Sequence, residues 1–275
     1  MEAIVNIKII KEILLFIRSL YRSNIVKTIY INYKTQPLKK AFKLPIFIGK
    51  NSKIHSLRGN IIIDSEIIRP GMIKIGYKHW DLFPSSYVTT QLTVKGCLVI
   101  KGPLIVSGGV HLFVWKNAFL EIGQNCSVGG GTMLKSISEI TIGENTCITG
   151  DCTILDSNMH YVKNIETGII AKKQGKIHIG KNCWINQSSI ITKGTFLPDF
   201  SIVARGSFLN KDYTSYGTNL FLVGSPAVVS KNKVQRIFNI EKEKALNEYF
   251  RRNEGEMEYR DELGIFKDEF SLPKI

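Results

Sequence analysis

Residues 179–209 read Ile179-Gly180-Lys181-Asn182-Cys183-Trp184-Ile185-Asn186-Gln187-Ser188-Ser189-Ile190-Ile191-Thr192-Lys193-Gly194-Thr195-Phe196-Leu197-Pro198-Asp199-Phe200-Ser201-Ile202-Val203-Ala204-Arg205-Gly206-Ser207-Phe208-Leu209. An aliphatic residue stands at every sixth place: Ile179, Ile185, Ile191, Leu197, Val203 and Leu209. Four residues after each of the first five comes a small one: Cys183, Ser189, Thr195, Ser201 and Ser207. Neither an amphipathic helix (period 3.6) nor a half-buried strand (period 2) produces this spacing. A sixfold period is that of a parallel β-helix, in which three hexads close one triangular coil of about eighteen residues. The small residue is read as an inward corner, where a larger side chain would not fit the taper.

The same beat extends upstream. Leu92, Leu98, Leu104 and Val110 keep it, then Ile122, Val128, Leu134 and Ile140, then Ile142, Ile148 and Ile154. Cys126, Thr132, Ser138, Thr146 and Cys152 take the small slot. Gly123, Gly129, Gly143 and Gly180 follow aliphatic residues, where the pattern predicts that the backbone turns. A β-sandwich of short strands is the competing architecture, but sandwich strands keep no sixfold register through their turns.

Three segments carry a more specific likeness: Ile179-Gly180-Lys181-Asn182-Cys183-Trp184-Ile185-Asn186, then Ala204-Arg205-Gly206-Ser207-Phe208-Leu209-Asn210-Lys211-Asp212, then Gly224-Ser225-Pro226-Ala227. Occurring in this order, they resemble the hexapeptide-repeat acyltransferases over roughly residues 45 to 231. The resemblance implies a mainly β fold, a left-handed parallel β-helix with helical appendages at both ends. The expected organisation is a basic amphipathic helical region over 1–45, the coil over 46–230 with an excursion at 161–176, and a helical extension over 231–275.

Composition agrees with a folded enzyme. A chain of 275 residues can bury a full core. No stretch approaches the roughly eighteen uninterrupted apolar residues of a membrane span. The opening Met1–Lys11 lacks the basic start, clean apolar core and cleavage site of a signal peptide. The five cysteines are Cys97, Cys126, Cys147, Cys152 and Cys183. Three fall on the small inward slot and read as core fillers, and their odd number points to a reducing compartment, the cytoplasm.

Much of the net charge of +14 sits early, where Lys8, Lys11, Arg18, Arg22, Lys27, Lys34, Lys39, Lys40 and Lys43 oppose only Glu2 and Glu12. Ile9, Ile10, Ile13, Leu14, Phe16, Ile17 and Leu20 lie among them at helical spacing. Two readings stand: a helix packed on the coil or on a neighbouring subunit, or peripheral contact with the inner face of an anionic membrane. Nucleic acid is not an expected partner, because the basic residues are dispersed and no recognition motif is present. After Lys231, Ile237, Ile240, Ala245, Leu246, Tyr249 and Phe250 alternate with charges and read as helices outside the coil; Glu254 to Glu262 reads as a solvated face.

The chemistry is expected where the repeat breaks. Ile154 opens a hexad in register, so the next aliphatic slot falls on His160, and the chain then departs from Tyr161 to Lys176. Long excursions from a strict repeat carry function more often than not. In the acyltransferases that this chain resembles, the catalytic histidine precedes such a loop. A neutral imidazole can accept the proton of a sugar hydroxyl as it attacks a thioester, an effect of about 10² to 10⁴ in rate. The alternative is a hydrogen-bonded histidine that closes a coil. Asp156 is placed to orient the ring, or else to bond its own turn. Asn158, on the small inward slot, could bond acceptor, ring or corner carbonyl. Trp184 could border the cleft or pack at an interface.

The resemblance further implies a homotrimer with acetyl coenzyme A as acyl donor, held in a groove between coils of adjacent subunits. It carries the cofactor-binding role onto Arg205, Gly206, Ser207, Asn210 and Lys211. Arg205 and Asn210 depart from the family's usual alanine and threonine. Val228 stands where a basic residue often meets the cofactor's phosphates, and Lys231 is the candidate substitute. No metal is expected: His111, His160 and His178 lack the spacing of the γ-class carbonic anhydrases, and His178 alternates with Ile177 and Ile179 so that it faces outward.

Upstream, Tyr30 to Lys34, Leu38 to Ile46 and Gly71 to Gly76 resemble members linked to capsule and surface-polysaccharide loci. The expected activity is O-acetylation of a sugar hydroxyl on a polysaccharide, its repeat unit or a lipid-linked precursor. N-acetylation of an amino sugar nucleotide is the alternative within the class. Outside it stand a metal-dependent lyase and a non-catalytic glycan-binding β-helix.

Overall fold

Every residue of the sixfold column, from Leu92 to Leu209, lies inside the molecule with 2 % or less of its surface exposed. Cys126, Thr132, Thr146, Cys152, Cys183, Ser189, Thr195, Ser201 and Ser207 fill the inner corners and are equally buried; Ser138 is half-buried. The structure, a computed structural model, describes residues 16–77 and 88–261. Among these, parallel strands stack into sheets of seven and six strands and a third of nine, whose last strand runs antiparallel.

Chain order gives the architecture. The first sheet begins with Ile46–Ile48, the second with Ser52–Leu57 and the third with Asn60–Ile63, after which the chain returns to the first sheet at Ile73–Tyr77. Each circuit adds one strand to each sheet, so the fold is a three-sided parallel β-helix with a single apolar core down its axis. Neighbouring coils stack in register, as in Leu112↔Leu134↔Ile154↔Ile191↔Leu209. Each aliphatic residue therefore rests on its counterpart one coil away.

The coil starts before the sixfold beat becomes countable. Ser52–Leu57, at six residues, runs longer than the later strands, and bulges at Ile54/Ser56 and Ile75/Tyr77 break the count. The glycines also act differently from the expectation. Gly143 does not supply a left-handed turn; the adjacent coil passes so close that a Cβ there would lie 2.4 Å from the nitrogen of Lys181. The left-handed corner falls two residues later, on Asn125, Asn145, Asn182 and Phe200, with φ between 56° and 60°. Asparagine tolerates this region better than most residues.

Helix α1 (Ile25–Thr35), capped by the Asn24 side chain on the N–H of Lys27, lies against the strands of the first coil. A short helix α2 (Leu38–Ala41) follows. The far end is closed by Phe221–Gly224 and Ala227–Lys231, which pair antiparallel around the turn through Ser225-Pro226. Helix α3 (Ile240–Arg252) buries none of its residues, and residues 254–260 are exposed. Of the early apolar face, Ile9, Ile10, Ile13 and Leu14 lie outside the described residues, as does Glu262.

Candidate active site

The excursion is an arm, and its base explains how it is held. Asp156 ends the second-sheet strand Thr153–Leu155 and is fully buried. Its Oδ1 accepts the N–H of Ile137 at 2.7 Å; its Oδ2 accepts the N–H of Ser138 at 2.8 Å and the Ser136 hydroxyl at 3.2 Å. The carboxylate thus staples the corner of the preceding coil between the second and third sheets. Burial holds its carboxyl above the usual carboxylate range, with the two backbone donors pulling the other way. These bonds occupy the carboxylate, which makes none to His160 and none to its own turn; it bonds instead to the corner of the neighbouring coil, a role that neither reading of the sequence named.

From there the chain folds back on itself. The N–H of Asn158 donates to the carbonyl of Lys173, the N–H of Gly175 to that of Asp156, and Ser157 bridges to Gln174. Further out, Val162–Lys163 pairs antiparallel with Ile170–Ala171. At the tip the Asn164 side chain accepts the N–H groups of Glu166 and Thr167. Lys193, on the same edge one coil on, donates its ammonium to the carbonyl of Lys172 and ties the arm to the coil.

His160 sits at the arm's root. Met159 adopts φ 64°, its N–H bonded to the Ser157 hydroxyl, and the N–H of His160 closes on the carbonyl of Asn158 at 2.7 Å. This tight turn turns the imidazole outward, and the ring has no hydrogen-bond partner among the described residues. It does not enter the aliphatic slot that the hexad count assigned to it, because the coil has already been left at Ser157. Asn158 is likewise exposed instead of filling an inner corner. It contributes backbone bonds to the arm and leaves its side chain outside.

The residues read as cofactor-binding divide into separate places. Asn210 and Lys211 follow the second-sheet strand Phe208–Leu209 and lie on the edge from which the arm departs. Lys193 and Lys211 are eighteen residues apart, which puts one above the other on that edge. Arg205 and Gly206 are exposed at the other end of the same strand, on the edge between the first and second sheets. Ser207 points into the core, its hydroxyl buried and without a partner, so it offers nothing to a molecule outside. Lys231 is exposed on the last strand of the first sheet, away from the arm's edge.

Trp184 also belongs to the first sheet, the face opposite the edge that bears the arm. Its ring is covered by the Arg236 guanidinium at 4.4 Å, which stacks in turn on Phe238 at 4.6 Å. Within one chain it does not border His160. Nothing in the hexads signals Arg236. Lys193, by contrast, is legible from its eighteen-residue offset to Lys211.

The three histidines lie apart. His178 faces out of the third sheet with Nδ1 2.7 Å from the Thr141 hydroxyl, and His111 faces out of the second, its pKa lowered by burial and by Lys135 and His55. Among the described residues no group of three or more His, Cys, Asp or Glu converges as a metal site would.

Neither a family model nor a curated protein matches the chain. Solved structures do resemble it. The polySia-specific acetyltransferase NeuO is 18 % identical, with 74 % of this chain and 90 % of that one covered and a TM-score of 0.47. The polysialic acid O-acetyltransferase OatWY is 18 % identical over 72 % of this chain and 99 % of that one, with a TM-score of 0.39. A hexapeptide-repeat-containing acetyltransferase from Vibrio cholerae, solved with acetyl coenzyme A, is 17 % identical over 53 % and 68 %, with a TM-score of 0.36.

Proposed function

We propose that this protein is an acyltransferase that moves acetyl from acetyl coenzyme A to a sugar hydroxyl of a surface polysaccharide or its precursor. The observation that carries the proposal is the imidazole of His160. It is exposed, unpartnered among the described residues and presented by a left-handed turn on an edge that also bears Lys193 and Lys211. A histidine presented without a partner at the root of the arm, on an edge that also bears lysines, is suited to proton transfer near a phosphorylated substrate.

The step balances without a covalent enzyme intermediate. The hydroxyl proton passes to the unprotonated imidazole nitrogen while its oxygen bonds to the thioester carbonyl carbon. Collapse of the tetrahedral species breaks the C–S bond, and the imidazolium returns the proton to the departing thiolate. The products are a sugar ester and free coenzyme A. Lys193 and Lys211 would meet the donor's phosphates as point charges, with the side chain of Asn210 beside them. Asp156 would act at a distance, by fixing the corner from which the arm springs.

We place this reaction in the cytoplasm and in a homotrimer, in which the groove for the donor lies between an arm and a neighbour's coil. His160→Ala should lower thiol release in the presence of acetyl coenzyme A and a glycan acceptor by at least about a hundredfold. Its thermal transition and its mass by light scattering should be those of the wild type. Turnover at the wild-type rate in that variant would remove His160 from the chemistry.

A further inference from the structure

Helix α1 is mounted inside out. Its buried stripe is mostly polar: Thr28, Asn32 and the following Gln36, with Ile31 between them. These side chains serve the backbone edge of the first coil. The Asn32 amide donates to the carbonyl of Ile46 at 2.7 Å and accepts its N–H at 3.1 Å; the Thr28 hydroxyl accepts the N–H of Ile48; Gln36 donates to the carbonyl of Ile61. On the opposite side, at helical spacing, stand Val26, Ile29, Tyr30 and Tyr33. Val26 is 77 % exposed, as is Tyr21 in the helical stretch before it, and Phe42 beyond α2 is 71 % exposed. An amphipathic helix ordinarily turns its apolar side to the core.

Charge narrows what can cover this surface. Residues 16–63 contain ten lysines and arginines and no aspartate or glutamate. Of these, Arg18, Arg22, Lys34, Lys39 and Lys43 are exposed on or beside the helix, so joining the face to the same face of a second copy would set like charges against each other. A zwitterionic or neutral apolar partner would leave the cations without counter-charge. Exposed apolar side chains with exposed cations on the same and neighbouring turns match the boundary between acyl chains and anionic headgroups, where each basic residue adds to the attraction.

We propose that the end of the β-helix capped by α1 is a docking surface for an anionic lipid bilayer. The helix lies on the surface and does not cross it: no helix of the described residues is long and apolar enough to span a membrane. Since α1 touches all three strands of the first coil, the stack would stand on the bilayer by its end. The arm springs from the fifth strand of the second sheet, four strand spacings away. That places the root of the arm roughly 20 Å along the axis from the first coil, on which α1 lies.

The test is sedimentation of the full chain with phosphatidylcholine vesicles, with and without roughly a third phosphatidylglycerol. Binding should be at least about tenfold stronger to the anionic vesicles and should weaken steeply as salt is raised. A variant carrying Tyr21→Ser, Val26→Ser and Phe42→Ser should lose about tenfold or more of that binding, with circular dichroism and thermal transition unchanged. Failure to sediment with anionic vesicles, or equal binding to both kinds, would overturn the proposal. So would a mass by light scattering, in the absence of lipid, that falls when the three serines are introduced. That last result would assign the face to contacts between copies.

Discussion

At the scale of single residues, the molecule separates side chains that hold the coil from side chains left free to react. The thiols show it most directly. Burial pushes Cys126 and Cys183 up to about 12 and Cys152 to about 11; it raises the half-buried Cys97 as well, and Cys147 is also only half-buried. At pH 8 a thiol with a pKa near 12 is ionised in about one molecule in 10⁴, and the thiolate is the reactive form. Iodoacetamide at that pH should therefore label Cys97 and Cys147 in the native protein and reach the other three only after denaturation. Mass spectrometry of the labelled peptides reads this directly. Rapid native labelling of Cys126 or Cys183 would mean that the inner corner is open to solvent. Asp156 follows the same division: its charge is spent inside on the N–H groups of Ile137 and Ser138.

At the scale of elements, the repeat was readable because one physical demand recurs every six residues: an aliphatic side chain must meet its counterpart in the next coil. That periodicity gave the sheets and the core from Leu92 onward. It was silent on Ile46 to Tyr77, where one longer strand, Ser52–Leu57, and two bulges shift the count without changing the architecture. It also misplaced His160 and Asn158, since counting hexads assumes that the chain is still on the coil when it has already turned into the arm. The glycines were located correctly and explained wrongly. Gly143 is required by the approach of another backbone, and that contact lies 37 residues away in sequence at Gly180. Gly143→Ala would put a Cβ 2.4 Å from the nitrogen of Lys181 and 2.5 Å from the carbonyl carbon of Gly180, with no flexible side chain to yield. We expect a cost of about 3 kcal/mol and a fall in melting temperature of roughly 6 °C or more. Gly255→Ala, where nothing lies within 4 Å of the added carbon, is the control and should melt with the wild type.

At the scale of the whole molecule, a stack of coils is nearly one-dimensional, so each coil depends on its neighbours and the ends depend on their caps. Sequence pattern says little about caps, because a cap answers to the edge it covers and follows no repeat; the polar stripe of α1 is unreadable without Ile46 and Ile48 beside it. Asn32 is the centre of that cap, fully buried and bonded to both the N–H and the carbonyl of Ile46. Asn32→Ala would strand two buried backbone groups at the edge of the first sheet, at a cost of about 2–4 kcal/mol. In a nearest-neighbour stack that loss should be felt as fraying from one end. Amides of Ile46–Ile48 should exchange with deuterium at least about tenfold faster, while those of Cys147–Ile148 and Thr153–Leu155, four coils away, keep wild-type protection. Acceleration of equal size in every coil would show that the stack opens as one unit, and the account of the ends as separate, locally capped structures would have to be given up.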